Sequence, residues 1–118
     1  MLYTIGKIIF GLYFIYNGYG HLKNLAGTAA YASSKNVPMP KVAVSVTGLL
    51  LLFGGFSILT GYFLELGLLA LVVFLVPTTF MMHNFWKEAD PMAKMNAKIG
   101  FTKNMALVGA ILMIMSLV

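Results

Sequence analysis

From Val42 to Leu64 the chain reads VAVSVTGLLLLFGGFSILTGYFL, without one charged residue. After Glu65 it continues as LGLLALVVFLVPTTFMMHNFW, Leu66 to Trp86, again without a charge. A helix rises ~1.5 Å per residue and the hydrocarbon core of a bilayer is roughly 30 Å thick, so each stretch is long enough to cross it. A backbone in lipid must satisfy its own hydrogen bonds, which leaves helices or a closed barrel. Neither stretch alternates with the period of two that a barrel strand needs, so helices are expected. Between them only Thr60-Gly61-Tyr62 breaks the run, room for a tight turn and hence an antiparallel hairpin.

Two further segments extend the pattern. Tyr3 to Leu22 is interrupted only by Lys7 and Asn17, and Ile99 to Val118 carries Lys103 near its start. Both lysines lie close enough to a helix end for their ammonium groups to reach the interface. The sequence therefore predicts an all-α fold: a transmembrane four-helix up-down bundle forming a single integral membrane domain over residues 1–118. Its helices are expected at about 3–22, 42–61, 64–86 and 99–118. The first connection, Lys23 to Lys41, has room for a short interfacial helix. Asn24 would cap it, Leu25, Thr28, Ala29 and Ala32 would share one face, and Val37-Pro38-Met39-Pro40 would stop it. The third connection, about Lys87 to Lys98, reads as a solvated loop. Pro77 is expected to kink the third long helix, with Thr78 and Thr79 helping to satisfy the freed carbonyls.

Composition agrees. Of 118 residues, 60% are hydrophobic and 9% charged, against roughly 25% charged in soluble domains; mean hydropathy is +0.90. So few charges cannot make a polar shell, which excludes a soluble enzyme, a disordered tail and a nucleic-acid binder. The net charge of +5 comes from lysine alone and suits contact with a membrane surface. There is no cysteine, hence no disulfide, thiolate metal site or iron–sulfur cluster. Lys23, Lys35, Lys41, Lys87, Lys94, Lys98 and Lys103 lie in or beside the first and third connections, and only Lys7 and the amino terminus lie at the other end. The positive-inside rule then puts those two connections in the cytoplasm and both chain ends outside. Ala30-Tyr31-Ala32 resembles a signal-cleavage site, but it lies too far from the first apolar run, so that run is expected to be retained.

Glycines seven residues apart, Gly11 and Gly18, Gly48 and Gly55, Gly54 and Gly61, draw stripes along the helices, and Ala106 and Ala110 flank Gly109 on the last one. Such stripes serve close packing inside a bundle or a homo-oligomer face. If the chain is a scaffold or assembly factor packing against other membrane proteins, a bulky residue at Gly48 or Gly55 would remove partners while leaving the fold intact.

Polar residues within membrane spans are functional candidates. The up-down topology brings Asn17, His21, Lys23 and Asn24 from the first helix to the same membrane face as Thr78, Thr79, His83, Asn84 and Trp86 from the third. Lys103 and Asn104 join them from the fourth. Asn17 and His21 are four apart and share a face, as do Thr79 and His83. Two imidazoles, amides and a lysine at a bundle mouth suit the oxygens of a quinone, a lipid headgroup or another carbonyl ligand, and histidine can move a proton. The candidate ligand-binding set is thus Asn17, His21, Lys23, Thr79, His83, Trp86, Lys103 and Asn104. An interfacial and structural role stands beside it, since Tyr19, Phe85 and Trp86 also fit an aromatic belt. Quinone is the cofactor the cluster suits. A bis-histidine haem would need further features of a haem pocket, and the sequence offers none. No metal site is expected. At the other face Lys7 and Glu65 form a candidate structural ion pair. No nucleophile–base pair, carboxylate dyad or phosphate loop is present, so the chain is not expected to be an enzyme on its own, at most a subunit of a quinone-linked oxidoreductase.

Several stretches resemble DoxX-type membrane proteins. These are Lys7-x3-Gly11-x6-Gly18-x2-His21-Leu22-Lys23, Val37-Pro38-Met39-Pro40, the Gly48 and Gly54-Gly55 pattern, PTTFMMHNFW at 77–86 and FTKNMALVG at 101–109. The resemblance implies a multi-pass protein of the prokaryotic cytoplasmic (inner) membrane. The family takes its name from a small subunit of an archaeal quinone-reducing oxidoreductase, and relatives are linked to redox stress or to assembly of other membrane proteins. It implies an accessory or quinone-binding component of a membrane redox system, or else a scaffold or lipid-binding partner of other membrane proteins. Lys7 falls where many members carry a basic residue, His83 and Trp86 on the family's H-x-F-W pattern, and Lys103 and Asn104 on its K-N pattern. The chain departs from the family at Leu51 and Leu52, where many members carry a glutamate.

Overall fold

The computed structural model describes residues 1–118 and is all-α. It holds five helices: α1 Leu2–Lys23, α2 Leu25–Ser34, α3 Pro40–Thr60, α4 Leu64–Met82 and α5 Pro91–Leu117. A single 3₁₀ turn, Phe85–Lys87, lies between the last two. Three segments are both long and apolar enough to cross a membrane: Pro40–Thr60, Leu64–Lys87 and Pro91–Leu117. α1 has comparable length, 22 residues. Its Lys7, Asn17, His21 and Lys23 make it less apolar than the other three.

The chain divides into two compact units, Met1–Leu71 and Val72–Val118, with the boundary inside α4. In the first, α1 and α3 meet through glycine. A methyl group on Gly11 would come 3.0 Å from the Gly55 carbonyl oxygen, one on Gly55 2.7 Å from the Gly11 oxygen, and one on Gly18 2.8 Å from the Gly48 oxygen. The backbones touch because no side chain separates them. A leucine at Gly55 would thus break this seam, so it tests the fold and not, as the sequence suggested, a partner. Phe14 and Leu51 are fully buried in this unit.

The turn from α3 to α4 is built at three residues. Gly61 takes a left-handed conformation (φ 84°) that glycine adopts without steric cost, and its N–H donates to the Ser57 carbonyl. The Thr60 hydroxyl accepts from the Tyr62 N–H at 3.2 Å, and the Phe63 carbonyl accepts the first bond of α4, from Gly67 at 2.8 Å. Gly61 is therefore a cap and not the continuation of a Gly54 stripe. Gly54 itself lies under the Leu71 side chain, and Gly67 under Ser57.

α2 occupies the first connection, as its apolar face suggested, with Ala29 and Ala32 buried. It closes before the prolines arrive. Val37 N–H bonds to the Ala32 carbonyl and Asn36 N–H to the Ser33 carbonyl, with Asn36 left-handed at φ 63°. This is a Schellman closure with asparagine in the place where glycine is usual. Asn24 precedes α2 but makes no side-chain cap bond there.

Two helix ends differ from the sequence reading. α4 stops at Met82 and not at Trp86, because Asn84 (φ −84°, ψ 69°) forms an inverse γ-turn, Phe85 N–H to the His83 carbonyl. α5 starts at Pro91 and not near residue 99. Asp90 caps it, its carboxylate accepting from the Ala93 N–H at 2.9 Å, and Pro91 fills a first-turn position that needs no N–H. Most of the predicted loop up to Lys98 is thus helix. Pro77 lies inside α4. The Thr79 hydroxyl donates to the Leu75 carbonyl at 2.5 Å, and not to the Val73 carbonyl that Pro77 leaves without an N–H.

Candidate functional site

The end of α1 carries Asn17, His21 and Lys23 in the first unit. The Asn17 amide nitrogen donates to the Tyr13 carbonyl at 2.7 Å, and His21 Nδ1 lies 2.8 Å from the Asn17 carbonyl. A carbonyl only accepts, so Nδ1 carries a hydrogen, and in the neutral ring Nε2 holds the lone pair. Both side chains thus bond to carbonyls of their own helix one turn back. The His21 Cβ packs on α3, 3.1 Å from where a methyl on Gly48 would sit. Lys23 Nζ stands 5.7 Å from the centroid of the Tyr19 ring.

Near the amino terminus, Lys7 Nζ lies 5.6 Å from the Tyr3 ring centroid. Glu65 is exposed in the first turn of α4, where a carboxylate suits the positive end of the helix dipole.

The second unit holds Thr79, His83, Trp86, Lys103 and Asn104. The His83 ring lies directly on α5. A methyl on Gly100 would meet its Nδ1 at 2.5 Å and its Cε1 at 2.7 Å. Gly100 is therefore the residue that lets the imidazole approach the α5 backbone. Next to it Phe101 anchors a cluster of four rings. Phe101 lies 5.4 Å from Phe80, 5.4 Å from Phe85 and 5.9 Å from Trp86, centroid to centroid, each near edge-to-face. Phe85 and Trp86 also meet edge-to-face at 5.3 Å. Such contacts fix ring orientation beyond what apolar burial alone would do. The cluster is anchored but not closed: Phe80 is 48% and Trp86 49% exposed. Thr79 is buried with its hydroxyl bonded inside α4, and Asn104 is buried on the face of α5 that also carries Val108 and Ile111. Lys103 is exposed.

His83 and Trp86 are thus brought together with Gly100, Phe80, Phe85 and Phe101. Sequence reasoning missed Gly100, Phe80 and Phe101 as members of the site. All three lie within helices that the sequence predicts, and it is the packing of His83 on Gly100 and of Phe80 on Phe101 that brings them to the site. No three His, Cys, Asp or Glu side chains gather to hold a metal ion.

Residues 2–84 match the family model of DoxX, more than half of the chain. The protein belongs to the DoxX family. The match spans α1 to the end of α4 and includes His21 and His83, while α5 lies beyond it. The inner membrane protein YphA of Escherichia coli (strain K12) is 25% identical to this DoxX chain over 114 residues, covering 97% of the chain and 81% of the relative. No solved structure matches it. Family and apolar helices together make this DoxX protein a membrane protein.

Proposed function

We propose that this chain is a four-span protein of the prokaryotic inner membrane that binds a quinone as a non-catalytic accessory component of a membrane redox system. α1, α3, α4 and α5 are the spans, with α1 as the least apolar. One observation carries the ligand: the His83 ring held against Gly100 beside the Phe85, Trp86 and Phe101 rings. A quinone is a flat ring with carbonyl oxygens at opposite edges. Aromatic faces suit the ring, and an imidazole beside it is a polar group of the kind that recognises a carbonyl edge. In this reading Thr79, Lys103 and Asn104 supply the polar groups of the unit that carries His83, and Asn17, His21 and Lys23 are the polar candidates of the other unit. At the other end Lys7 and Glu65 are the candidate ion pair in this reading, since pairing would lower the cost of placing either near lipid.

The test uses the protein in lipid nanodiscs with ¹⁵N-labelled histidine and a short-chain quinone. The His83 ring resonances are expected to shift saturably, with parallel quenching of Trp86, the only tryptophan in the chain. Histidine signals that stay unmoved at saturating quinone overturn the proposal.

A second reading, a structural partner of other membrane proteins, is favoured by α5. Only 17% of its apolar window is buried, against 39% for α3. Gly109 has open space around it, so Gly109→Leu would leave this fold intact. Loss of a co-purifying membrane protein in that variant supports the second reading, and unchanged co-purification counts against it.

A further inference from the structure

The first three turns of α5 carry three distinct stripes. Ala93, Ala97 and Gly100 are half-buried and small. Met92, Met95 and Ile99, three and four residues apart, are exposed and apolar. Lys94 and Lys98, one turn apart, are exposed on the adjoining stripe. Just before them come the half-exposed Trp86 and the exposed Lys87.

Length places these turns. α5 has 27 residues, about 40 Å at ~1.5 Å per residue, while a hydrocarbon core is roughly 30 Å thick. The excess of about 10 Å corresponds to about seven residues, close to the stretch from Pro91 to Lys98. The apolar remainder of α5 fills the core, so the excess emerges among the headgroups. There the methionine stripe can lie toward acyl chains while the lysines meet phosphates. Four lysines, Lys87, Lys94, Lys98 and Lys103, face two acids, Glu88 and Asp90, between Phe85 and Lys103. The Asp90 carboxylate is engaged in the helix cap.

We propose that this amphipathic extension of α5 binds anionic phospholipid headgroups and holds an anionic lipid beside Trp86. The surface discriminates by charge: each lysine at an anionic surface enriches such lipids on the order of fivefold, and the effect weakens with salt. The proposal does not depend on the quinone reading.

Trp86 reports on it directly. The protein is reconstituted in vesicles of phosphatidylcholine and phosphatidylglycerol at fixed mole fraction, with the bromine quencher on one lipid or on the other. Brominated phosphatidylglycerol is expected to quench Trp86 several-fold more efficiently than brominated phosphatidylcholine at equal fraction. The preference should fall in high salt and vanish in the Lys94→Gln/Lys98→Gln variant, while Lys7→Gln keeps it. Circular dichroism of each variant confirms that the helices are intact. Equal quenching by the two lipids in the unaltered protein overturns the proposal, as does a preference that survives in the folded double variant. A quinone-free preparation is used, so failure of the quinone proposal would leave this outcome unchanged.

Discussion

At the residue scale, glycine does two kinds of work that only the surroundings distinguish. Gly100 and Gly109 both lie on α5, yet a methyl on the first meets the His83 ring and a methyl on the second meets nothing within 4 Å. Gly100→Ala must push the imidazole aside. It is expected to destabilise the protein by about 1–3 kcal/mol and to change Trp86 emission through Phe101, which follows Gly100 in the chain and packs on Trp86. Gly109→Ala is expected to be neutral or to stabilise by up to ~1 kcal/mol, because alanine is the better helix former. Unfolding in mixed micelles, followed by Trp86 emission, compares the two, and equal stabilities would show that His83 does not rest on Gly100. Ser57 offers the opposite case. Its hydroxyl is fully buried with no hydrogen-bond partner, and its Cβ faces Gly67 across the α3–α4 hairpin. An unsatisfied buried hydroxyl costs free energy that Ser57→Ala removes while keeping the packing of Cβ. The same titration should find Ser57→Ala no less stable than the parent, with a gain of up to about 1 kcal/mol; a clear loss would mean that the hydroxyl has a partner.

At the element scale, what was legible in the sequence was what lipid dictates. Long uncharged runs gave α3 and the body of α4 because hydropathy alone decides whether a segment lies in a bilayer. The helix ends were harder, because they are decided by single hydrogen bonds. Nothing in the hydropathy of 87–98 announces helix, yet one carboxylate and one proline start α5 eight residues early. Asp90-Pro91 was in fact a readable N-terminal signal, outweighed by the charges that follow it. The same holds at α4, where the stop comes from the backbone angles of Asn84 and not from any loss of apolarity. The missed ring cluster has a different cause: Gly100 and Phe101 lie inside the helix expected from residue 99, and which of its residues meet His83 and Phe80 is decided by packing between elements and not by hydropathy. Asp90→Ala therefore tests the element. Loss of an N-cap costs on the order of 1 kcal/mol, enough to fray the first turns but not to disturb the apolar remainder. Faster amide exchange is expected at Ala93 and Lys94 and unchanged exchange beyond Asn104; protection that stays equal at all these sites would remove the cap from the account of why α5 starts at Pro91.

At the scale of the whole molecule, the glycine seam was legible as spacing, but which helices it joins was not. The seven-residue interval of Gly11 and Gly18 matches that of Gly55 and Gly48, and only the fold shows that the two run against each other as α1 on α3. The polar residues divide likewise, Asn17, His21 and Lys23 into one compact unit and Thr79, His83, Trp86, Lys103 and Asn104 into the other. The four-span reading requires α1, α3 and α4 to cross in alternation, and the lysine distribution then says on which side of the membrane each connection lies. The absence of native cysteine makes the arrangement directly measurable, because a single introduced thiol is the only one present. Exposed positions are available at each connection and near the end of the chain: Ser34 at the end of α2, Tyr62 in the α3–α4 turn, Ala89 before α5 and Ser116 near the end of α5. With an impermeant maleimide added outside intact cells, Tyr62→Cys and Ser116→Cys are expected to label. Ser34→Cys and Ala89→Cys are expected to label only after the membrane is opened. Labelling of all four from outside would contradict four spans. Labelling of Ser34→Cys without Ala89→Cys would put the first and third connections on opposite sides of the membrane and contradict the alternation of α1, α3 and α4.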